Sequence, residues 1–269
     1  MHISHRTTRR LFLQSAAGLF LGAGGVSATP RQNPFGVKAL FFDVFGTLTD
    51  WRNGVARDAR DLLSPLGYSL DWPAFADAWR AQYLPVTGEV RSRHQPYVKL
   101  DVLERRMLDK IIPHFGLEKL SEDMRQRLTL AWHHLDAWPD VNAGLARLGR
   151  SFLLAPVSNG NIALMADIAS RNRWRWDAIL GADIAHDYKP NRDVYLAAAG
   201  ALNLAPAECM MVAAHDIDLT HGGASGAGLK TAFIPRPDEY GRGHGAEKLT
   251  GPVEIIADSI PELASKLGA

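Results

Sequence analysis

The stretch Val37-Lys38-Ala39-Leu40-Phe41-Phe42-Asp43-Val44-Phe45-Gly46-Thr47-Leu48-Thr49-Asp50 decides the fold. Its first six residues form a short, mostly apolar run that stops on a carboxylate. A run of that length without polar alternation reads as a strand buried on both faces, the signature of a parallel sheet, with Asp43 at its carboxyl end.

On the far side of this stretch the pattern turns helical. Segments 56–66, 72–83, 98–112 and 121–134 carry apolar positions at three- and four-residue spacing, and Ser121 is placed to cap the last of them. From Ser151 onward apolar runs and helical segments alternate. Strands are predicted at 152–157, 178–180, 210–213, 229–234 and 253–257, with helices at 162–170, 193–201, 219–227 and 260–267. Alternation of this kind implies a parallel sheet with helices on both faces. The helical block after the first strand implies an inserted cap. The expected organisation is a core domain from residues 36–52 and 138–269 and a helical cap domain over 53–137. The loop 235–250, rich in glycine and proline, is predicted to be exposed and mobile.

In an open parallel sheet, ligands bind beyond the carboxyl ends of the strands. The first strand delivers Asp43 and Thr47 to that edge, and the second delivers Ser158 and Asn159. Lys189-Pro190 follows the third, and Ala214-His215-Asp216-Ile217-Asp218 follows the fourth. A candidate nucleophile, hydroxyl and amide donors, a cation and a second carboxylate thus converge. Each alone is commonplace, since an Asp after a strand often caps a turn and Lys-Pro is a frequent exposed turn. Their joint order is not.

These four stretches, FFDVFGTLTDW, Ser158-Asn159, Lys189-Pro190 and VAAHDIDLTHGGASGAGL, resemble the four motifs of the haloacid dehalogenase superfamily. The resemblance runs from about residue 36 to the end of the chain. It implies an α/β, Rossmann-like core with a parallel sheet and an inserted helical cap domain. Most members are magnesium-dependent phosphatases with a second carboxylate two residues after the nucleophile and another in the fourth motif. Here those positions hold Phe45 and Ala214. A hard divalent ion needs several oxygen ligands, so these losses argue against a metal, although Asp216 could still offer an oxygen.

Metal-free chemistry suits a halide, which leaves without a proton. The resemblance therefore points to the 2-haloacid dehalogenase branch, hydrolases of carbon–halide bonds that use no cofactor. It implies Asp43 as covalent nucleophile, Lys189 as its counter-charge, Thr47 as a hydrogen-bonding partner and Asp218 as the residue that orders water or holds Lys189. Phe45, Arg80, Ser158, Asn159 and Tyr195 then contact the substrate, a small halogenated carboxylic acid. Trp51, Trp79 and Tyr83 are candidates for excluding bulk water. His215 replaces an expected amide; it either positions water, acts as a base, or is structural. A magnesium-dependent phosphatase, a hydrolase of the same fold acting on another substrate, and a non-catalytic binding protein stay open as alternatives.

Arg9-Arg10-Leu11-Phe12-Leu13, an apolar run to Val26 and the small-residue stop at Ala28 resemble a twin-arginine signal peptide over residues 1–28, with export to the periplasm. The run is too short to span a bilayer, so no membrane attachment is expected after cleavage. The net charge of +1 gives no reason to expect a nucleic-acid partner. The single cysteine, Cys209, excludes an internal disulfide or a metal site built from cysteines. Dimers are common among the proteins it resembles, which leaves a homodimer open.

Overall fold

The computed structural model describes residues 33–269; the expected signal over 1–28 lies outside the described residues. Six strands, β1 (Ala39–Phe42), β2 (Leu153–Ser158), β3 (Leu180–Gly181), β4 (Cys209–Ala213), β5 (Lys230–Phe233) and β6 (Ile255–Ile256), form one sheet in the order β3-β2-β1-β4-β5-β6. Every pairing is parallel. The central strand β1 is fully buried. Leu40 and Phe42 face one apolar cluster and Ala39 and Phe41 the other, as the two-residue period of a strand covered on both faces requires.

Strand order reverses at β1. The chain moves outward through β2 and β3, then returns to the other side of β1 for β4, β5 and β6. The crevice between the carboxyl ends of β1 and β4 is therefore the switch point at which open α/β sheets bind ligands. Asp43 sits there, with its N–H donated to Val212 of β4 at 3.0 Å.

Between β1 and β2 the chain forms α1 (Trp51–Leu63), α2 (Trp72–Ala81), α3 (Tyr83–Arg91), α4 (Leu100–Ile111) and α5 (Glu122–Thr129), followed by α6 (Val141–Leu148). The side chains of Asp50, Asp71 and Ser121 cap α1, α2 and α5 by accepting backbone N–H groups. The predicted segment 72–83 stops early because Pro85 has no N–H for the Ala81 carbonyl, so the chain breaks and restarts as α3. Helix α6 carries apolar residues at helical spacing but was not among the expected elements.

The rest of the layer is α7 (Ile162–Asn172), α8 (Ala182–Ala185), α9 (Arg192–Ala201), α10 (Asp216–Leu219) and α11 (Ile260–Lys266). The helix predicted over 219–227 is not formed. Only the one-turn α10 precedes a run of turns through Gly222, Gly223 and Gly226. At Gly223 a β-carbon would lie 2.6 Å from the Ile217 carbonyl oxygen. The chain folds back onto its own preceding turn there, a path that glycine permits and a helix does not.

One apolar cluster joins the inserted helices to the sheet. Trp132 is its hinge, stacked on Trp51 at 6.0 Å and edge-on to Trp79 and Phe45, both at 5.8 Å. Its indole N–H has no partner among the described residues. Trp132→Ala is expected to lower unfolding stability by about 3–5 kcal/mol, a large-to-small cavity cost. Trp132→Phe should lose less, because it also removes the unpartnered N–H. Urea unfolding midpoints check this order, and equal losses would contradict it.

Candidate active site

The turn after β1 builds the floor of the site. Leu48 and Thr49 donate their N–H groups to the Val44 carbonyl, and Gly46, with φ +82, donates to Thr49. This tight turn brings Thr47 back over Asp43. Thr47 Oγ1 donates to Asp43 Oδ2 at 2.7 Å and accepts the Ala214 N–H at 2.8 Å. At the position where magnesium enzymes of this type carry an acid, Ala214 therefore contributes a backbone donor and no ligand.

Lys189 supplies the charge. Its Nζ lies 2.9 Å from Asp43 Oδ1 and 2.6 Å from Asp218 Oδ2, with the three residues 4%, 5% and 6% exposed. The Lys189 backbone is held by Asn159, whose Oδ1 accepts the Lys189 N–H at 2.7 Å. Burial alone would raise the Asp43 pKa. The Lys189 ammonium, His215 and Thr47 override it and hold the carboxyl well below the usual carboxylate range. Burial likewise works against the charged Lys189, but Asp218 and Asp43 push its pKa above the ordinary lysine value. Asp218 is left raised by burial, with Lys189 opposing.

His215 and Glu239 complete the floor. His215 Nδ1 lies 3.2 Å from Asp43 Oδ2, and its Nε2 lies 3.0 Å and 3.1 Å from the two oxygens of Glu239. Burial opposes a charged ring, but Glu239 and Asp43 hold its pKa well above the ordinary 6.5.

Above the floor is a cavity of about 610 Å³. Its wall includes Phe45, Trp51, Arg80, Tyr83, Arg91 and Asn159, with Tyr240, His244 and Glu247 from the loop after β5. The Arg80 guanidinium stacks 4.1 Å from the centre of the Tyr83 ring and 5.7 Å from that of Trp51. Its Nε is buried without a hydrogen-bond partner among the described residues.

Several expectations are corrected by position. Ser158 and Tyr195 do not reach the cavity wall. The Ser158 hydroxyl accepts the Gly160 N–H at 3.1 Å, and Tyr195 donates to Asp218 Oδ1 at 3.4 Å from behind it. Trp79 packs among the inserted helices, while Trp51 and Tyr83 line the cavity. Asp216 does not face the floor. Its oxygens accept from Thr220 Oγ1, the Thr250 N–H and the Thr250 hydroxyl, which ties down the far end of the 235–250 loop. That loop, expected to be exposed, is mostly exposed, and Glu239 is its buried exception, inserted into the site.

Asp43, His215 and Asp218 each present an atom within 4.8 Å of the others, a spacing that could hold a metal ion. The donor set does not fit magnesium. It offers carboxylate oxygens already shared with Lys189 and a ring whose two nitrogens face carboxylates, against the near-octahedral oxygen shell that magnesium demands.

The profile of the haloacid dehalogenase-like hydrolases matches residues 37–215. The chain belongs to this family. Among curated relatives, (S)-2-haloacid dehalogenase 1 of Pseudomonas sp. (strain CBS-3) is 30% identical over 210 residues, covering 76% of this chain and 88% of the relative. The crystal structure of a defluorinating L-2-haloacid dehalogenase superposes with a TM-score of 0.84 at 38% identity, covering 90% of this chain and all of that one. A second L-2-haloacid dehalogenase gives 0.80 at 41% identity, covering 86% and 99%. In this haloacid dehalogenase-like hydrolase the six-stranded parallel sheet with flanking helices matches the fold of those solved relatives. Glu239, in the loop after β5, lies outside the matched profile.

The buried ion pair has a measurable signature. Lys189→Met leaves Asp43 and Asp218 without their counter-charge, and a loss of about 3–5 kcal/mol is expected at pH 7. In the wild type the depressed Asp43 pKa contributes stability that is present above its ordinary value of 3.8 and fades below it. In the variant the uncompensated carboxyls titrate upward, so their cost grows as pH rises through that same region. The gap between the two proteins should therefore narrow from pH 7 to pH 4. Urea unfolding at both pH values tests it, and a gap independent of pH would contradict the ion-pair account.

Proposed function

We propose that this protein is a metal-independent 2-haloacid dehalogenase that hydrolyses small 2-haloalkanoic acids through an ester on Asp43. One observation carries this reading. Asp43 is a buried, ionised carboxylate whose counter-charge is Lys189, while Phe45 and Ala214 stand where a magnesium-dependent relative would place acids. An ionised carboxylate in a dry pocket is a competent nucleophile toward an sp³ carbon bearing a good leaving group. The names of the curated and solved relatives support the substrate class.

In this mechanism Asp43 attacks C2 with inversion, and the halide leaves toward Arg80 and the Phe45 ring. Arg80 suits that part because it is a cation on the cavity wall with no carboxylate bonded to it among the described residues. The substrate carboxylate is taken by Asn159 and backbone N–H groups at the end of β2. Water then attacks the carbonyl carbon of the ester, and Lys189 steadies the developing negative charge. Asp218 and Tyr195 act from below, holding Lys189 in place. The relatives' names carry the (S) configuration, and the same preference here would yield (R)-2-hydroxy acids by inversion.

Within this reading, residues 53–137 form a cap domain over a core of 36–52 and 138–269. The basic Arg9-Arg10 pair, the apolar run and Ala28 support export by the twin-arginine pathway to the periplasm.

Halide release from (S)- and (R)-2-chloropropionate, with EDTA present and Asp43→Asn as control, tests the proposal. Release from the (S) enantiomer that survives EDTA and vanishes in the control is expected. Release abolished by EDTA, or magnesium-dependent hydrolysis of a phosphate ester without halide release, would favour the cation cluster at Asp43, His215 and Asp218 instead.

A further inference from the structure

Glu239 has no part in the scheme above, yet three separate segments enclose it. It is 4% exposed and comes from the loop after β5. Trp51 Nε1, at the start of α1, donates to its Oε1 at 2.9 Å. His215 Nε2 reaches both oxygens. In the turn after β1, a β-carbon on Gly46 would lie 2.2 Å from Oε1, so a side chain there would displace the carboxylate. The His215 ring is thus strung between two carboxylates, of which Asp43 reacts and Glu239 does not.

We propose that Glu239 is a positioning residue that makes His215 the base for hydrolysis of the Asp43 ester, an inference that rests on the dehalogenase reading. The charges facing His215 are Asp43, Asp218, Glu239 and Glu247; Lys189 lies across Asp43, and Arg80 acts on Glu239. In the resting state the ring is an imidazolium that donates to both neighbours.

Displacement forms the bond from an Asp43 oxygen to C2 and breaks the carbon–halogen bond, and the halide departs with the electron pair. Asp43 is then a neutral ester, so one of the two charges holding the ring protons is gone. The Nδ1 proton leaves to solvent through the cavity, which accounts for the proton that net hydrolysis releases. The Nε2 proton stays on the ring, donated to the Glu239 carboxylate. That hydrogen bond fixes the tautomer with its free lone pair at Nδ1, toward the ester. Water gives a proton to Nδ1 as its oxygen adds to the Asp43 carbonyl carbon. The adduct collapses with cleavage of the bond from that carbon to the alkoxide oxygen. The alkoxide takes the second water proton, and Asp43 returns as a carboxylate beside an imidazolium. The base is therefore armed by the first half-reaction and disarmed by the second.

Rapid-quench kinetics with (S)-2-chloropropionate, reading halide and the covalent adduct by intact mass, tests this. Glu239→Gln keeps the volume and an acceptor for Trp51 but removes the charge. A halide burst approaching one equivalent per site is expected, then turnover about 10–100-fold slower with the adduct accumulating. His215→Gln should show the same burst with turnover about 10²–10⁴-fold slower. The double variant should be no slower than His215→Gln, since Glu239 acts only through the ring. Glu239→Asp, which restores the charge, should recover part of the rate and also decides the matter if the Gln variant folds poorly. Loss of the burst together with turnover in both Glu239 variants, wild-type rates in both, or independent multiplying effects in the double variant would overturn the proposal. A wild-type protein that releases no halide would instead sink the dehalogenase reading itself.

Discussion

A single buried ammonium holds the site together. Lys189 sits between Asp43 and Asp218, within 2.9 Å of each, where solvent barely reaches. Two carboxylates so placed without a cation would take up protons, and a protonated Asp43 is a far weaker nucleophile than its carboxylate. The ammonium keeps the pair ionised at the cost of desolvating three charges, which is tolerable only where every charge finds partners. The surroundings meet that condition. Thr47 and His215 take the second Asp43 oxygen, Tyr195 reaches Asp218 from behind, and Asn159 fixes the Lys189 backbone.

The fold follows from the need to gather these groups from distant parts of the chain. Strand order reverses beside β1, so β1 and β4 end side by side and present Asp43 and His215 to one crevice. Helices inserted after β1 cover that crevice with Trp51, Arg80 and Tyr83, and the tryptophan cluster around Trp132 ties this roof to the sheet. Covering the floor strengthens each electrostatic contact beneath it, because water no longer screens them.

The motifs at strand ends were legible because a buried parallel strand is a plain apolar run, and the residue that ends it is delivered to the ligand edge. Asp43, Thr47, Asn159, Lys189, His215 and Asp218 were all found this way, and the structure brings them together. Which side of an element a residue occupies was harder to read. Ser158 and Asn159 are neighbours at the end of β2, and a strand turns successive side chains to opposite faces, so only Asn159 reaches the cavity. Tyr195 is screened from it by Asp218. The turns after α10 carry alanines and glycines that read as a helix until the close approach at Gly223 is seen. Glu239 could not be found by pattern at all. It lies in a glycine-rich loop with no periodicity, 24 residues beyond the ring it contacts, and its place depends on room left by Gly46 and a donor from Trp51.

The central claim is that the Asp43 carboxylate, and not water, attacks the substrate carbon. A single turnover in H₂¹⁸O, with enzyme in excess over (S)-2-chloropropionate, tests it most directly. Ester hydrolysis at the carbonyl carbon predicts that ¹⁸O enters the Asp43 carboxylate and is absent from the first 2-hydroxy acid formed. Label in that first product, with Asp43 unlabelled, would contradict the account.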